Sequence, residues 1–234
     1  MDAELEIIYQ DDSLVAINKP AGLLVHRTAL DPHEIKFAVQ ILRNQIGKWV
    51  FPIHRLDKAT SGVLLFGLSK QIAHEMSKMV LEHAYTKEYL AIVRGWPPDA
   101  FDVDRGIPQG RNKERKEACT KFKRLACTEI PHPVGPFETA RYSLLRVNPI
   151  TGRRHQIRRH LNHVSYPIAG DRWYGDRDHN RFFTEVLDLP QMFLHSRKLS
   201  FQHPFSKKIV ELKASLPEHW IKALAHLKFE DLEI

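Results

Sequence analysis

The most informative part of the chain is His54-Arg55-Leu56-Asp57-Lys58-Ala59-Thr60-Ser61-Gly62. One carboxylate, Asp57, lies among three basic side chains, and small turn residues follow it. Residues 62–68 are then almost continuously apolar, which is typical of a buried strand. A surface turn with local salt bridges would contain the same charges. Such exposed pairs contribute little to stability and are common without any function. The segment alone therefore leaves a structural turn and a reactive carboxylate as alternatives.

On both sides of this segment, hydrophobic periodicity predicts short strands with helices between them. Strands are predicted at residues 5–9, 14–17, 62–68, 86–94, 120–125, 140–147, 193–201 and 209–212. Helices are predicted at residues 34–46, after an N-cap at Ser69, at 154–163 and from Pro217 onward, with Gly47 stopping the first. Residues 105–116 are polar and basic, which favours an exposed loop. This order of elements predicts an α+β fold with a mixed, largely antiparallel sheet.

The composition favours an anionic partner. Lys and Arg total 35 against 28 Asp and Glu, giving a net charge of +7. Such an excess is common in nucleic-acid-binding proteins, although it also serves solubility. The acidic start and the lack of a long apolar run argue against a signal peptide and a membrane span, so we expect a cytoplasmic protein. Cys119 and Cys127 form no C-x-x-C pair, which predicts two buried thiols rather than a disulfide or a zinc site.

A second segment, Thr151-Gly152-Arg153-Arg154-His155-Gln156-Ile157-Arg158-Arg159-His160-Leu161, is strongly basic. If Ile157 and Leu161 face the core of a helix, Arg154 and Arg158 share one flank because they are four residues apart. Like charges at this spacing repel unless an anion lies between them. The pattern therefore favours a surface that follows the phosphates of a nucleic acid over a solvated helix face.

No cofactor motif is present. The chain contains no Walker A sequence, no G-x-G-x-x-G after a strand and no G-x-S-x-G elbow. Residues 176–180 imitate the start of an EF-hand, but Arg181 replaces the required glycine and Leu187 the required glutamate. We therefore expect neither a metal nor an organic cofactor.

Five motifs, in order along the chain, resemble the RluA-type family of pseudouridine synthases. They are Asn18-Lys19-Pro20 with Gly22; His54-Arg55-Leu56-Asp57 with Thr60-Ser61-Gly62; Lys87-Glu88-Tyr89-Leu90-Ala91 with Gly95; Thr151 to Leu161 with Pro167-Ile168 and Gly170-Asp171; and Leu194-His195 with His203-Pro204-Phe205. The resemblance extends over residues 5–216. It implies the pseudouridine synthase fold, with helices flanking the sheet and a central basic RNA-binding cleft. It also implies one catalytic domain over residues 1–234, built of two subdomains that share one sheet, without an S4-like N-terminal domain.

The resemblance implies a role for each of four side chains. Asp57 is implied as the catalytic aspartate, which attacks the sugar or the base or removes the C2′ proton of the ribose. Arg158 is implied as the cation that keeps this carboxylate ionised. Tyr89 is expected to stack on the flipped uracil, and Arg55 to fill the gap that the base leaves in the RNA helix.

The remaining implied residues bind RNA or shape the pocket. Phosphate contacts are expected from Lys58, Arg153, Arg154, Arg159 and the segment 111–116, including Arg111 and Lys113. His54, Lys19 and Ile157 are expected to shape the pocket. No obligate protein partner is expected.

Two departures from the family pattern concern the substrate. Arg154 stands where a small hydroxyl residue is common, and Arg159 where an aliphatic residue is common. This doubled basic pattern is most similar to members that modify a uridine in the T-arm stem of tRNA, which predicts uridine 65 of tRNA as the target. A ribosomal RNA substrate, a non-catalytic RNA-binding protein and a metal-dependent nuclease are the alternatives.

Overall fold

The computed structural model describes residues 4–27, 33–82, 84–109 and 114–229. The chain divides into two compact units, and each unit is built from two separate stretches of sequence. The first unit contains Met1–Lys87 and Ser196–Ser215, and the second contains Glu88–His195 and Leu216–Ile234. In sequence, the stretches of the two units thus alternate.

The strands are β1 (Glu6–Gln10), β2 (Leu14–Lys19), β3 (Phe51–Pro52), β4 (Ser61–Gly67), β5 (Tyr85–Arg94), β6 (Ala100–Asp104), β7 (Ile107–Gln109), β8 (Glu114–Lys116), β9 (Cys119–Ile130), β10 (Ala140–Pro149), β11 (Leu194–Gln202) and β12 (Ile209–Lys213). The helices are α1 (Ala38–Ile46), α2 (Lys70–Leu81), α3 (Gln156–His163), α4 (Arg177–Arg181) and α5 (Glu218–His226), and a π-helical turn covers Phe182–Val186. The predicted α+β class and largely antiparallel pairing are confirmed.

In the first unit, β2 pairs with both β1 and β4, while β3 pairs with the other edge of β4. All seven residues of β4 are buried, which is why this strand reads as a continuous apolar run rather than an alternating one. β12 pairs with β11 and contributes Leu212 to a core that also contains Leu14, Val63 and Phe201.

The ends of the first two helices follow local backbone chemistry. Gly47 takes a left-handed φ of 66° at the end of α1, as predicted, because glycine pays no Cβ penalty there. The predicted start at residue 34 is wrong: Phe37 is extended, and the amide of Ala38 donates to the carbonyl of Leu24 at 2.8 Å. The predicted cap at Ser69 is confirmed, since its hydroxyl accepts from the amide of Ile72 at 3.2 Å.

The second unit contains an antiparallel sheet in the order β5-β10-β9-β6. Its core lies around Tyr142, Phe183 and Phe193, and α5 covers this core with Trp220 and Leu224. The inward face of α5 is the face that its apolar spacing predicted.

Three predictions about the second unit are wrong. The exposed loop predicted at residues 105–116 is wrong for the described part of that segment, because β7 pairs antiparallel with β8 and Ile107 is only 3% exposed. Helix α3 begins at Gln156 rather than at residue 154. Both cysteines are free thiols, as predicted, but Cys127 is exposed and Cys119 half-buried, since the period-two pattern of β9 turns Cys127 outward.

Candidate active site

In the first unit, backbone hydrogen bonds hold the loop that presents Asp57. The carbonyl of Asp57 accepts from the amide of Thr60 at 3.1 Å, which closes a tight turn just before β4. The carbonyl of the next residue, Lys58, accepts from the amide of Gly22 at 2.8 Å. Two motifs that are far apart in sequence are thereby joined, and the half-buried Asp57 side chain is carried by a fixed backbone.

Lys19 is fully buried at the end of β2 and is hydrogen-bonded to the loop that carries Asp57. Its Nζ donates to the carbonyl oxygens of Pro20 and Leu23 at 2.8 Å each, and of Lys58 at 3.2 Å. Burial lowers the pKa of Lys19 to about 7, and the charge of Asp57 opposes that shift. The side chain therefore links the turn after β2 to the Asp57 loop, a role that suits the shaping of a pocket.

His54 is held as a neutral ring. Its Nε2 accepts a hydrogen bond from the amide of Leu65 at 3.2 Å. Burial and the nearby charge of Lys87 lower the pKa of His54 to about 3, although a hydrogen bond with the Arg55 backbone opposes the shift. A ring that stays unprotonated at neutral pH suits a structural role better than proton donation.

Gly62 can only be glycine in this fold. Its φ is +107°, and a Cβ placed there would lie 2.2 Å from the carbonyl oxygen of Ser196. The close approach allows strand β4 to begin directly after the Asp57 loop. Packing thus explains the glycine that ends the segment 54–62.

Arg55 and Lys58 flank Asp57 with different environments. Arg55 is exposed, as a side chain that enters RNA would have to be. The ammonium of Lys58 forms a salt bridge with Glu34 at 3.0 Å, and both side chains are partly exposed. A phosphate contact by Lys58 would therefore compete with this carboxylate.

In the second unit, Arg158 and Asp171 form a buried ion pair. Nε and Nη2 of Arg158 donate to the two carboxylate oxygens of Asp171 at 2.7 and 2.8 Å. The two side chains are 6% and 0% exposed. Desolvation raises the pKa of Asp171, but the hydrogen bonds and charge of Arg158 and the amides of Trp173 and Tyr174 outweigh it, so the net pKa is lowered. The Tyr174 ring also lies 5.2 Å from the guanidinium carbon of Arg158.

Gln156 clamps the turn that leads into α3. Its side-chain oxygen accepts from the hydroxyl of Thr151 at 2.7 Å and from the amide of Arg153 at 3.0 Å. Its side-chain amide donates to the carbonyl of Cys119 and to the hydroxyl of Thr120, both at 2.9 Å. This network fixes the position from which α3 presents Arg158.

Comparison with known proteins agrees with the resemblance indicated by the Asp57 and Arg158 segments. The family model described as RNA pseudouridylate synthase matches residues 13–163, which is more than half of the chain.

The chain belongs to the RNA pseudouridylate synthase family.

As a pseudouridine synthase, it is an isomerase that acts on RNA. It is 44% identical to tRNA pseudouridine synthase C of Vibrio parahaemolyticus, over 97% of each chain. It is 45% identical to the Haemophilus influenzae protein of the same name, over 97% of this chain and 100% of that one. A solved structure, human RNA pseudouridylate synthase domain containing 4, superposes with a TM-score of 0.71 at 26% identity and covers 95% of this chain and 93% of its own.

The remaining site residues that the sequence predicted lie at the following positions. Tyr89 is 9% exposed in β5, opposite Val147 of β10, and Ile157 is buried on α3. Arg153 donates from Nε to the carbonyl of Glu117 at 3.0 Å. Arg111 and Lys113 lie outside the described residues.

The predicted stripe of Arg154 and Arg158 is wrong. Arg154 precedes α3 and is exposed, whereas Arg158 is buried on the helix against Asp171. The protein itself supplies an anion for Arg158, the carboxylate of Asp171, and the arginine is buried. Arg158 is therefore not a surface contact for phosphate. Its predicted pairing with Asp57 stays a prediction.

The Gly170-Asp171 motif by itself predicts no role for Asp171. A buried arginine on a helix that packs into a core requires a carboxylate, and Asp171 is the acidic residue of the Gly-Asp motif that follows α3. That requirement was the available signal.

Among the helices that the structure describes, none has both the length and the apolar character needed to span a membrane.

Proposed function

We propose that the synthase converts a uridine of tRNA into pseudouridine, with Asp57 as the catalytic aspartate. The observation that carries the tRNA substrate is the 44–45% identity, over nearly the whole chain, to proteins named tRNA pseudouridine synthase C. The proposed target is uridine 65 in the T-arm stem. Ribosomal RNA remains the alternative substrate.

The reaction is an exchange of glycosidic bonds. The bond from uracil N1 to C1′ of the ribose breaks, the base turns, and C5 bonds to C1′. C5 then loses its hydrogen as a proton, and N1 gains one, so the product is an isomer of the substrate. A carboxylate at position 57 serves this by attacking the sugar or the base, or by removing the C2′ proton.

The geometry around Asp57 supports this role. Hydrogen bonds from Lys19, Gly22 and Thr60 fix the loop, so the backbone that carries the carboxylate is ordered before substrate binds. Such preorganisation reduces the entropy that is lost on reaching the transition state. Tyr89 is proposed to stack on the flipped uracil, and exposed Arg55 to replace it in the RNA stem.

The test is tritium release from RNA that carries 5-tritiated uridine, because bond formation at C5 expels that tritium. Wild type and Asp57→Asn are compared on tRNA and on ribosomal RNA fragments. We expect the wild type to release tritium from tRNA but not from the ribosomal RNA fragments, and Asp57→Asn to release none from either. Undiminished release by Asp57→Asn would refute the role of the aspartate, and release only from ribosomal RNA would refute the tRNA substrate.

Mapping of the product tests the position. Pseudouridine takes up a carbodiimide label that stops reverse transcription, so primer extension locates it. A stop that reports nucleotide 65 is expected, whereas a stop elsewhere in the tRNA would refute this position and leave the reaction class intact.

A further inference from the structure

A cavity of about 310 Å³ lies in the second unit, beside α3 and the β7–β8 hairpin. Its described lining includes three arginines and two histidines, and none of these lining residues is acidic. The basic side chains are Arg105, Arg115, Arg159, His160 and His163. Such a concentration of donors without a carboxylate is the composition of an anion site.

Two of the guanidinium groups are fixed by the backbone of one short segment. Nη1 of Arg115 donates to the carbonyl of Gly106 at 2.8 Å. Nη1 of Arg159 donates to the carbonyl of Pro108 at 3.2 Å. Each bond uses one of the five N–H donors of an arginine, so the groups are oriented while donors remain for a ligand.

His160 forms a buried wall of the cavity, and both of its ring nitrogens are hydrogen-bonded. Its Nε2 donates to the carbonyl of Arg105 at 3.0 Å, so its Nδ1 accepts from the hydroxyl of Thr120, also at 3.0 Å. Burial lowers the pKa of His160, and the charges of His163 and Arg105 act in the same direction, whereas the hydrogen bond with the Arg105 backbone and the charge of Asp104 oppose the shift. The positive charge of the cavity therefore comes mainly from its arginines.

The side chains of Arg105 and His163 contact each other directly. This places a guanidinium against an imidazole ring, in a cavity that holds two further guanidinium groups. Like charges brought together in this way destabilise the protein unless an anion is bound among them.

We propose that this cavity binds a phosphodiester group of the RNA substrate and serves affinity rather than the chemical step. The inference rests on the proposed function for its ligand, because RNA supplies the phosphate. The planar fork of an arginine matches two phosphate oxygens, and a chain with a net charge of +7 attracts a polyanion.

The test compares Arg159→Ala and Arg115→Ala with the wild type and with a control, Arg141→Ala. Arg141 is an exposed arginine of the same unit that pairs with Glu129, so its removal changes the net charge equally. The equilibrium Kd for tRNA is measured between 50 and 200 mM salt, and kcat is measured by tritium release at saturating tRNA. Circular dichroism confirms that each variant is folded.

Both cavity variants are expected to bind tRNA more weakly, on the order of tenfold, with a salt slope that is lower by about 1. Their kcat should match the wild type and Arg141→Ala. Arg159→Lys should restore the salt slope while leaving part of the affinity lost, because an ammonium keeps the charge without the fork. Unchanged affinity and slope in both alanine variants, or a lower kcat with unchanged Kd, would overturn the proposal.

A second arm identifies the source of the phosphate. Inorganic phosphate and uridine monophosphate are titrated as competitors of tRNA. Competition only at concentrations far above the Kd for tRNA is expected. Tight binding of either small probe, combined with normal tRNA affinity in the variants, would mean that the ligand is not RNA. Wild-type tritium release tests the proposed function separately, so the two can fail independently.

Discussion

Replacing Asp171 by alanine should be among the most destabilising single changes in the second unit. The carboxylate accepts two hydrogen bonds from Arg158 and one from each of the amides of Trp173 and Tyr174. Both members of the ion pair are at least 94% buried. Removal of one partner from a buried pair costs about 3–5 kcal/mol. For a chain of this size that corresponds to a fall in Tm of roughly 6–20 °C.

Asparagine at position 171 should be milder. It keeps the volume and one acceptor oxygen, but it loses the charge and one bond to Arg158, which costs about 1.5–3 kcal/mol. The folded-state pKa of Asp171 is depressed, so its stabilisation is fully present above the unfolded pKa of about 4. The difference between wild type and Asp171→Asn should therefore shrink as the pH falls below about 4.

The assay is urea unfolding followed by circular dichroism, with Asp178→Ala as the matched control. Asp178 pairs with Arg181 at 2.8 Å, but the two side chains are 43% and 58% exposed. An exposed pair contributes about 0.2–1 kcal/mol. Unfolding of Asp171→Ala and Asp178→Ala at the same urea concentration would show that burial does not decide the contribution of the pair.

Three further predictions concern the first unit and β5. Gly62→Ala should prevent stable folding, because the new Cβ would overlap the carbonyl of Ser196. In the control variant Gly47→Ala, the new Cβ meets no atom within 4 Å, so the positive φ should cost only about 1–2 kcal/mol of folding stability. Equal melting temperatures of the two variants would contradict this prediction. His54 should remain neutral at pH 5 by NMR, because its pKa is lowered to about 3, and stability should decline as the pH falls below the unfolded value of about 6.5. A titration midpoint near 6.5 would show that the ring is not held as described. Tyr89→Phe should keep RNA affinity and slow tritium release, and unchanged kinetics would remove any role for its hydroxyl.

Periodicity was sufficient for elements whose burial is decided locally. The apolar run of β4 and the inward face of α5 both follow from side chains a few residues apart. The hairpin of β7 and β8 was not predictable in this way, because its strands are three residues each and mostly polar. The start of α1 depends on a hydrogen bond from Ala38 to distant Leu24, which no local pattern contains.

The same limit applies to the site. The residue types of the Asp57 and Arg158 segments were sufficient to indicate RNA chemistry. Their partners were not, since Lys19 reaches Lys58 across 39 positions and Arg158 reaches Asp171 across 13. A motif identifies which side chains matter, whereas the contact that orients each one is a property of the folded chain.

The division of each unit into two sequence stretches has a consequence for synthesis on the ribosome. The core of the first unit needs Phe201 and Leu212, and the core of the second needs Trp220 and Leu224. Neither core can close until its residues between 201 and 224 have left the exit tunnel. A nascent chain that stops near residue 190 would leave both apolar faces open to chaperones and to aggregation, because long-range pairing comes last.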